Sequence, residues 1–202
     1  MDLAEAQIYL GERMCGRYLI RTFLGSGAFA GVFEAVDEHA GDTPVAVKIL
    51  SIQAAQSPDA RLEFDGEREL LRALTGCSNV VTLIDADQHT MTLSANGVDF
   101  KVEASFLVLE LANASLAELL LDRRKIAWSD RLQLFRDVAK GVHQMHLQRM
   151  VHRDAKADNA LVFSAPPLAK VSDLGRSCRT DNARRFALED YIVVSVQGVS
   201  PA

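Results

Sequence analysis

Eight consecutive residues, His152-Arg153-Asp154-Ala155-Lys156-Ala157-Asp158-Asn159, limit what this chain can become more than any other stretch. They follow residues 128–148, whose apolar members Trp128, Leu132, Phe135, Val138, Val142 and Met145 recur at steps of three and four and predict a long amphipathic helix. A long helix running into mixed charge predicts a loop anchored on a rigid element, where reactive side chains are held in place. Asp154 is suited to accept or orient a proton from a hydroxyl, Asn159 to hold a metal, and Lys156 between them to neutralise an anion. A charged loop without chemistry would be polar too, but specific residue types at fixed positions after a long helix argue against it.

Composition narrows the partners. The chain has 202 residues, enough for one or two small domains with a sizeable core, and is 49% hydrophobic and 24% charged. Its net charge of -5 argues against nucleic acid as the main partner and does not bear on a nucleotide, which needs only a local positive site. Cys15, Cys77 and Cys178 are far apart and odd in number, so no disulfide framework or metal pair is expected. Reduced thiols in a cytoplasmic or nuclear compartment are the expectation. The first ten residues carry Asp2 and Glu5 and no basic region, so no signal peptide is expected. No apolar run reaches the length of a membrane span; Glu110 cuts off residues 106–109.

Between Arg17 and Val36 a β-prone pattern is interrupted by Gly25, Gly27 and Gly31, which predicts two strands joined by a glycine-rich turn. Residues 45–50 fit a buried strand broken only by Lys48. Ser57-Pro58-Asp59 is a helix start, with Leu70, Leu71 and Leu74 on one stripe of the helix and Gly76 past its end. Residues 80–87 and 101–109 read as strands, and the polar stretch between them, with Asn96-Gly97, as a turn. A short helix is expected over 115–121, and short strands over 161–163 and 170–171 around Pro166-Pro167; beyond them no period is clear. This order predicts an α+β chain, with an N-terminal extension over 1–16, a sheet-rich lobe over about 17–111 and a helical lobe over about 112–202.

Three further motifs carry chemistry. In Gly25-Ser26-Gly27-Ala28-Phe29-Ala30-Gly31-Val32, glycines allow backbone amides to approach phosphate oxygens; a plain hairpin turn has the same look. In Val45-Ala46-Val47-Lys48, a lysine inside an apolar strand is costly unless its charge has a partner. It either holds phosphates or snorkels from an edge strand. Glu67 on the following helix is one possible anchor, with Glu63 and Glu69 as competitors and a solvated helix face as the alternative. In Ser172-Asp173-Leu174-Gly175, an aspartate straight after a short strand suits a divalent cation, or an ordinary turn.

Taken in chain order, these four sites resemble the signature set of the protein-kinase family: a glycine-rich loop, V-A-x-K, a helix glutamate, H-R-D-x-K-x-x-N and D-F-G. The resemblance runs over residues 18–175. It implies a protein-kinase-like bilobal fold, with a β-rich N-lobe carrying one helix and an incomplete α-helical C-lobe. It implies ATP, Mg²⁺ and a protein substrate. Gly25, Ser26 and Gly27 would approach the phosphates, and Lys48 would pair with the α and β phosphates, held by Glu67. Glu67 is preferred because Leu70, Leu71 and Leu74 follow it at the family's spacing. Asp154 would be the catalytic aspartate, Lys156 the γ-phosphate contact, and Asn159 and Asp173 the Mg²⁺ ligands. Val32, Ala46 and Leu161 would sandwich adenine, with backbone groups from Glu110 to Ala112 on its edge and Leu109 at the gatekeeper position. Leu71, Leu83, His152 and Leu174 resemble the stack that aligns the lobes. Lys156 is typical of serine/threonine kinases and the tyrosine-kinase-like group. Arg153 implies control by a phosphate on the next loop, with Ser177 and Thr180 as candidates or as ordinary unmodified residues.

The sequence departs from the family at three places. Ala30 stands where the third loop glycine is usual, Leu174 replaces phenylalanine, and Val199-Ser200-Pro201-Ala202 only faintly resembles A-P-E. The expectation is a C-terminally truncated domain: a fragment, a splice product or a truncated gene model. Its long helix would lack part of its cover, which favours a partner or aggregation, and it would be marginally stable and poorly active on protein substrates. The leading expectation is an ATP-dependent protein kinase. The alternative is a kinase-like nucleotide-binding or scaffold module lacking turnover. A small-molecule kinase of the aminoglycoside type fits less well, since those resemble H-G-D in this loop and usually lack the glycine-rich loop.

Overall fold

Antiparallel pairing of apolar central strands sets the architecture of the computed structural model, which describes residues 1–95, 97–121, 126–163 and 167–180. The N-terminal part comprises α1 (Leu3–Tyr9), β1 (Arg13–Met14), β2 (Tyr18–Ser26), β3 (Ala30–Asp37), β4 (Thr43–Leu50), α2 (Pro58–Ala73), β5 (Leu83–Ala95) and β6 (Val98–Glu110). Its strands form one antiparallel sheet in the order β1-β2-β3-β4-β6-β5. After it come β7 (Ala114–Ser115), α3 (Leu116–Leu121), α4 (Trp128–Leu147), β8 (Met150–Val151), β9 (Ala160–Phe163), β10 (Leu168–Val171) and β11 (Cys178–Arg179). These strands pair as β10-β9-β7 and β11-β8. The fold is α+β, with a β-rich N-lobe, and no described helix is long and apolar enough to cross a membrane.

Register decides which side chains meet. Lys48 lies opposite Val32 and Leu107, and Ala46 opposite Leu109, so these five share one face. Phe33, Val45, Val47, Ile49, Phe106 and Val108 fill the other face and pack against Ala6 and Tyr9 of α1. The first face meets α2 and the helical part through a cluster that includes Leu70, Leu71, Leu107, Met145 and Leu174. Helix α2 starts as expected: the Ser57 side chain accepts from the Ala60 N–H, Pro58 occupies the first turn, and Gly76 past its end has φ 89°.

Three expectations change. The polar stretch before Gly97 is strand, paired as far as Ala95 opposite Val98. Its alternation of Thr90, Met91 and Thr92, with Met91 buried, is a strand pattern on a two-sided ribbon. Val80 and Val81 precede β5 and dock on β10: Val81 N–H donates to Val171 O and Val171 N–H to Asn79 O, both at 2.9 Å. In α4 the buried residues are Leu134, Asp137, Gly141 and Met145, while Trp128, Leu132 and Phe135 are 70%, 48% and 72% exposed. Gly141 sets this phase, since a Cβ there would strike Asn79 O and lie 2.7 Å from a Val171 methyl. Asp137 sits on the inner face because Gln133 donates to it at 2.8 Å and Ala169 N–H at 3.4 Å. Asn96, Pro166 and residues 199–202 lie outside the described residues.

Candidate functional site

An ammonium inside a sheet needs partners, and Lys48 has three. Its Nζ lies 2.8 and 2.7 Å from the two Glu67 carboxylate oxygens and 3.1 Å from Asp173 Oδ1. That uses all three N–H donors of the ammonium. Glu67 is selected over Glu63 and Glu69 by helix phase: it shares the buried stripe of α2 with Phe64, Leu70 and Leu71. Burial pulls Lys48 toward the neutral form, but the charges of Glu67 and Asp173 outweigh it and raise its pKa. Burial also pushes Asp173 up, yet the Lys48 ammonium and the Gly175 N–H leave it below its ordinary range.

The loop after β8 is held from beneath. Asp154 N–H donates to His152 Nδ1 at 3.2 Å, so the ring proton sits on Nε2, which donates to Ser172 O at 2.9 Å. His152 thereby joins the loop to the residue before Asp173. Asn159 Nδ2 donates to Asp154 O and Oδ2, both at 2.9 Å, and Lys156 Nζ is 3.3 Å from the same Oδ2. Arg153 and Asp173 hold left-handed backbones, φ 65° and 57°. Each costs roughly 1–3 kcal/mol and persists only where the surroundings impose it. The hydroxyls of Ser177 and Thr180 donate to His152 O at 3.1 Å and Arg149 O at 3.2 Å.

On the sheet side, Val32 is half-buried, Ala46 is buried beside Leu109, and Leu161 and Leu109 pack against the same cluster as Leu71. Leu71, Leu83, Leu174 and His152 lie at one junction: the leucines share that cluster, and His152 is buried on Ser172 next to it. Glu110 and Ala112 lie half-buried where the chain leaves β6. A Cβ at Gly25 or Gly27 would meet nothing, and Ser26 is exposed between them, so that backbone is open to a ligand. Gly31 differs: a Cβ there would collide with Met1 and crowd the rings of Phe23 and Phe33. It is a packing glycine.

Sequence reasoning missed several supporting groups. Lys170 donates to both Glu110 carboxylate oxygens at 2.7 Å, and Glu110 accepts from Thr82 N–H at 2.6 Å, which fixes the exit from β6. Asn79 ties the segment after α2 to Gln144 and Ala169. Helix α1 went unread, although Asp2, which accepts from the Glu5 N–H, is a helix-capping signal.

The oxygens here suit a hard cation. Among the described residues no three His, Cys, Asp or Glu side chains converge as a metal cage. Asp173 and the Asn159 amide oxygen are two oxygen donors, the number a Mg²⁺ ion takes when nucleotide phosphates and water complete its shell.

Compared with known proteins, residues 18–200 match the family model described as the protein kinase domain. The chain is 30% identical over 167 residues to Fer-related kinase 1 of Caenorhabditis elegans, a match covering 82% of this chain and 38% of that protein. It is 29% identical over 169 residues to calcium/calmodulin-dependent protein kinase type 1 of Macrobrachium nipponense, covering 82% and 45%. It is 26% identical over 175 residues to serine/threonine-protein kinase PknA of Mycobacterium tuberculosis, covering 86% and 38%. The chain thus spans less than half the length of these curated relatives.

Proposed function

The chain belongs to the protein kinase domain family, and from this premise we propose that it binds ATP with Mg²⁺ and transfers the γ-phosphate to a serine or threonine hydroxyl of a protein. The observation that carries the reading is Lys48 Nζ held at 2.7–3.1 Å between Glu67 and Asp173. It joins the sheet, α2 and the segment after β10 around one charge.

In this reading the turn at Gly25, Ser26 and Gly27 presents backbone N–H groups to the phosphates, the Gly27 N–H giving up its 2.9 Å bond to Ala30 O. Lys48 exchanges its contact with the more exposed Asp173 for the α and β phosphates and keeps both bonds to Glu67. Asp173 and Asn159 would hold Mg²⁺, which when bound offsets phosphate charge and orients the γ-phosphate. Asp154 keeps Oδ2 on Asn159 and Lys156 and uses Oδ1 to orient the acceptor hydroxyl. Lys156 reaches the γ-phosphate, Val32, Ala46 and Leu161 enclose adenine, and backbone groups of Glu110 and Ala112 bond its edge. Serine/threonine preference is supported by Lys156 and by the name of the PknA relative. Three free thiols, Cys15, Cys77 and Cys178, support a reducing compartment, cytoplasmic or nuclear.

The test is transfer from ATP to serine/threonine peptides by the purified chain, read by mass spectrometry. Asp154→Asn is expected to lower transfer about 10²- to 10⁴-fold with ATP affinity retained. Lys48→Met is expected to weaken ATP binding. A wild-type chain that binds no ATP, or phosphorylates only tyrosine, overturns the reading.

A further inference from the structure

Residues 1–10 lie outside the family match, yet they touch two elements that shape the candidate nucleotide site. Two successive amides make the junction. Ser51 N–H donates to Phe29 O, at the tip of the glycine-rich hairpin, at 2.9 Å. Ile52 N–H donates to Glu5 Oε1 of α1 at 2.6 Å. Four positions before Ile52 stands Lys48; six after it, Pro58 opens the helix that carries Glu67. At the other end of the segment, the Met1 side chain fills the space beside Gly31, against Phe23 and Phe33. Helix α1 is anchored on the sheet by Ala6 and Tyr9, both buried.

We propose that α1 is an intramolecular clamp and Glu5 a positioning residue: by holding Ile52 it fixes the lead-in to α2, and with it the reach of Glu67 to Lys48, while Met1 steadies the glycine-rich hairpin. A carboxylate on a backbone N–H is a charge-assisted bond, stronger than a neutral one. A seven-residue helix has little stability alone, so its position depends on this bond and on its buried face. The proposal rests on the nucleotide-site reading for its consequence, and on the Glu5–Ile52 contact for its structure.

The experiment uses the whole chain and two readouts. Amide hydrogen exchange is followed at Ile52 and over residues 58–67, and ATP affinity is measured with Mg²⁺. Glu5→Ala is expected to speed exchange at Ile52 and in the first turns of α2, and to weaken ATP binding about three- to tenfold. Glu5→Gln keeps an acceptor oxygen and is expected to recover most of both. Should Glu5→Ala not fold, the wild-type chain still decides: bound ATP is expected to slow exchange at Ile52, because coupling is reciprocal. Unchanged exchange in Glu5→Ala, or a Glu5→Gln variant as impaired as Glu5→Ala, overturns the clamp. A wild-type chain that binds no ATP while Glu5→Ala still loosens α2 overturns the nucleotide reading and leaves the clamp standing.

Discussion

Half-buried Lys48 and buried Glu67 face each other from two elements and satisfy one another, so removing one leaves the other charged and poorly partnered. Glu67→Ala is expected to destabilise the chain by about 2–3 kcal/mol, read from urea unfolding, with Asp173 retaining part of the ammonium's contacts. Asp173 has a different signature. Its folded-state pKa lies below the ordinary 3.8, so its contribution is present above that value and lost as pH falls through the folded pKa. Asp173→Asn is expected to flatten the acid limb of the stability profile below about pH 4 and leave the neutral range less affected. Equal acid slopes in both proteins would contradict this. Residues with strong chemical demands were readable in sequence: a lysine in an apolar strand announces a hidden partner. Residues that serve them were not. Glu5, Asn79 and Lys170 are ordinary polar types whose partners lie 47, 90 and 60 positions away.

Elements were readable where local signals agree. The capping serine and N1 proline of α2 fixed its start, and a β-prone run broken by glycines and an apolar run broken only by Lys48 marked β3 and β4. Ser57→Ala is expected to cost about 1 kcal/mol and to fray the first turn of α2, visible as faster amide exchange at Ala60. Helix α4 was found but its rotation was not. Period 3.6 identifies an apolar stripe; it does not say that a glycine and a buried aspartate mark the true inner face. Gly141→Ala tests that phase directly. The added methyl meets a backbone carbonyl that cannot step aside, and a loss of about 1–3 kcal/mol is expected. The same change at Gly25, where a Cβ meets nothing, is expected to be mild for stability.

Across the whole molecule, the exposed Trp128, Leu132 and Phe135 make an apolar face on α4. Trp128→Ser with Phe135→Ser is expected to raise solubility and reduce self-association in light scattering without lowering the unfolding midpoint, since both side chains are more than two-thirds exposed. The α+β character and the order of elements were legible from the sequence, because strand and helix periods are local. How the sheet attaches to the helical part was not, because it depends on docking of Val80 and Val81 to β10. That docking has a mechanical consequence. Among the described residues, backbone hydrogen bonds join the sheet side to the rest at two places, residues 79–81 on β10 and residue 113 on β9, where Asn113 N–H donates to Val162 O at 3.0 Å. A body pinned at one point swings in any direction; pinned at two, it turns only about the line through them. Opening over Lys48 is thereby expected to run about that line, like a gate on two pins, parting the ammonium from Asp173.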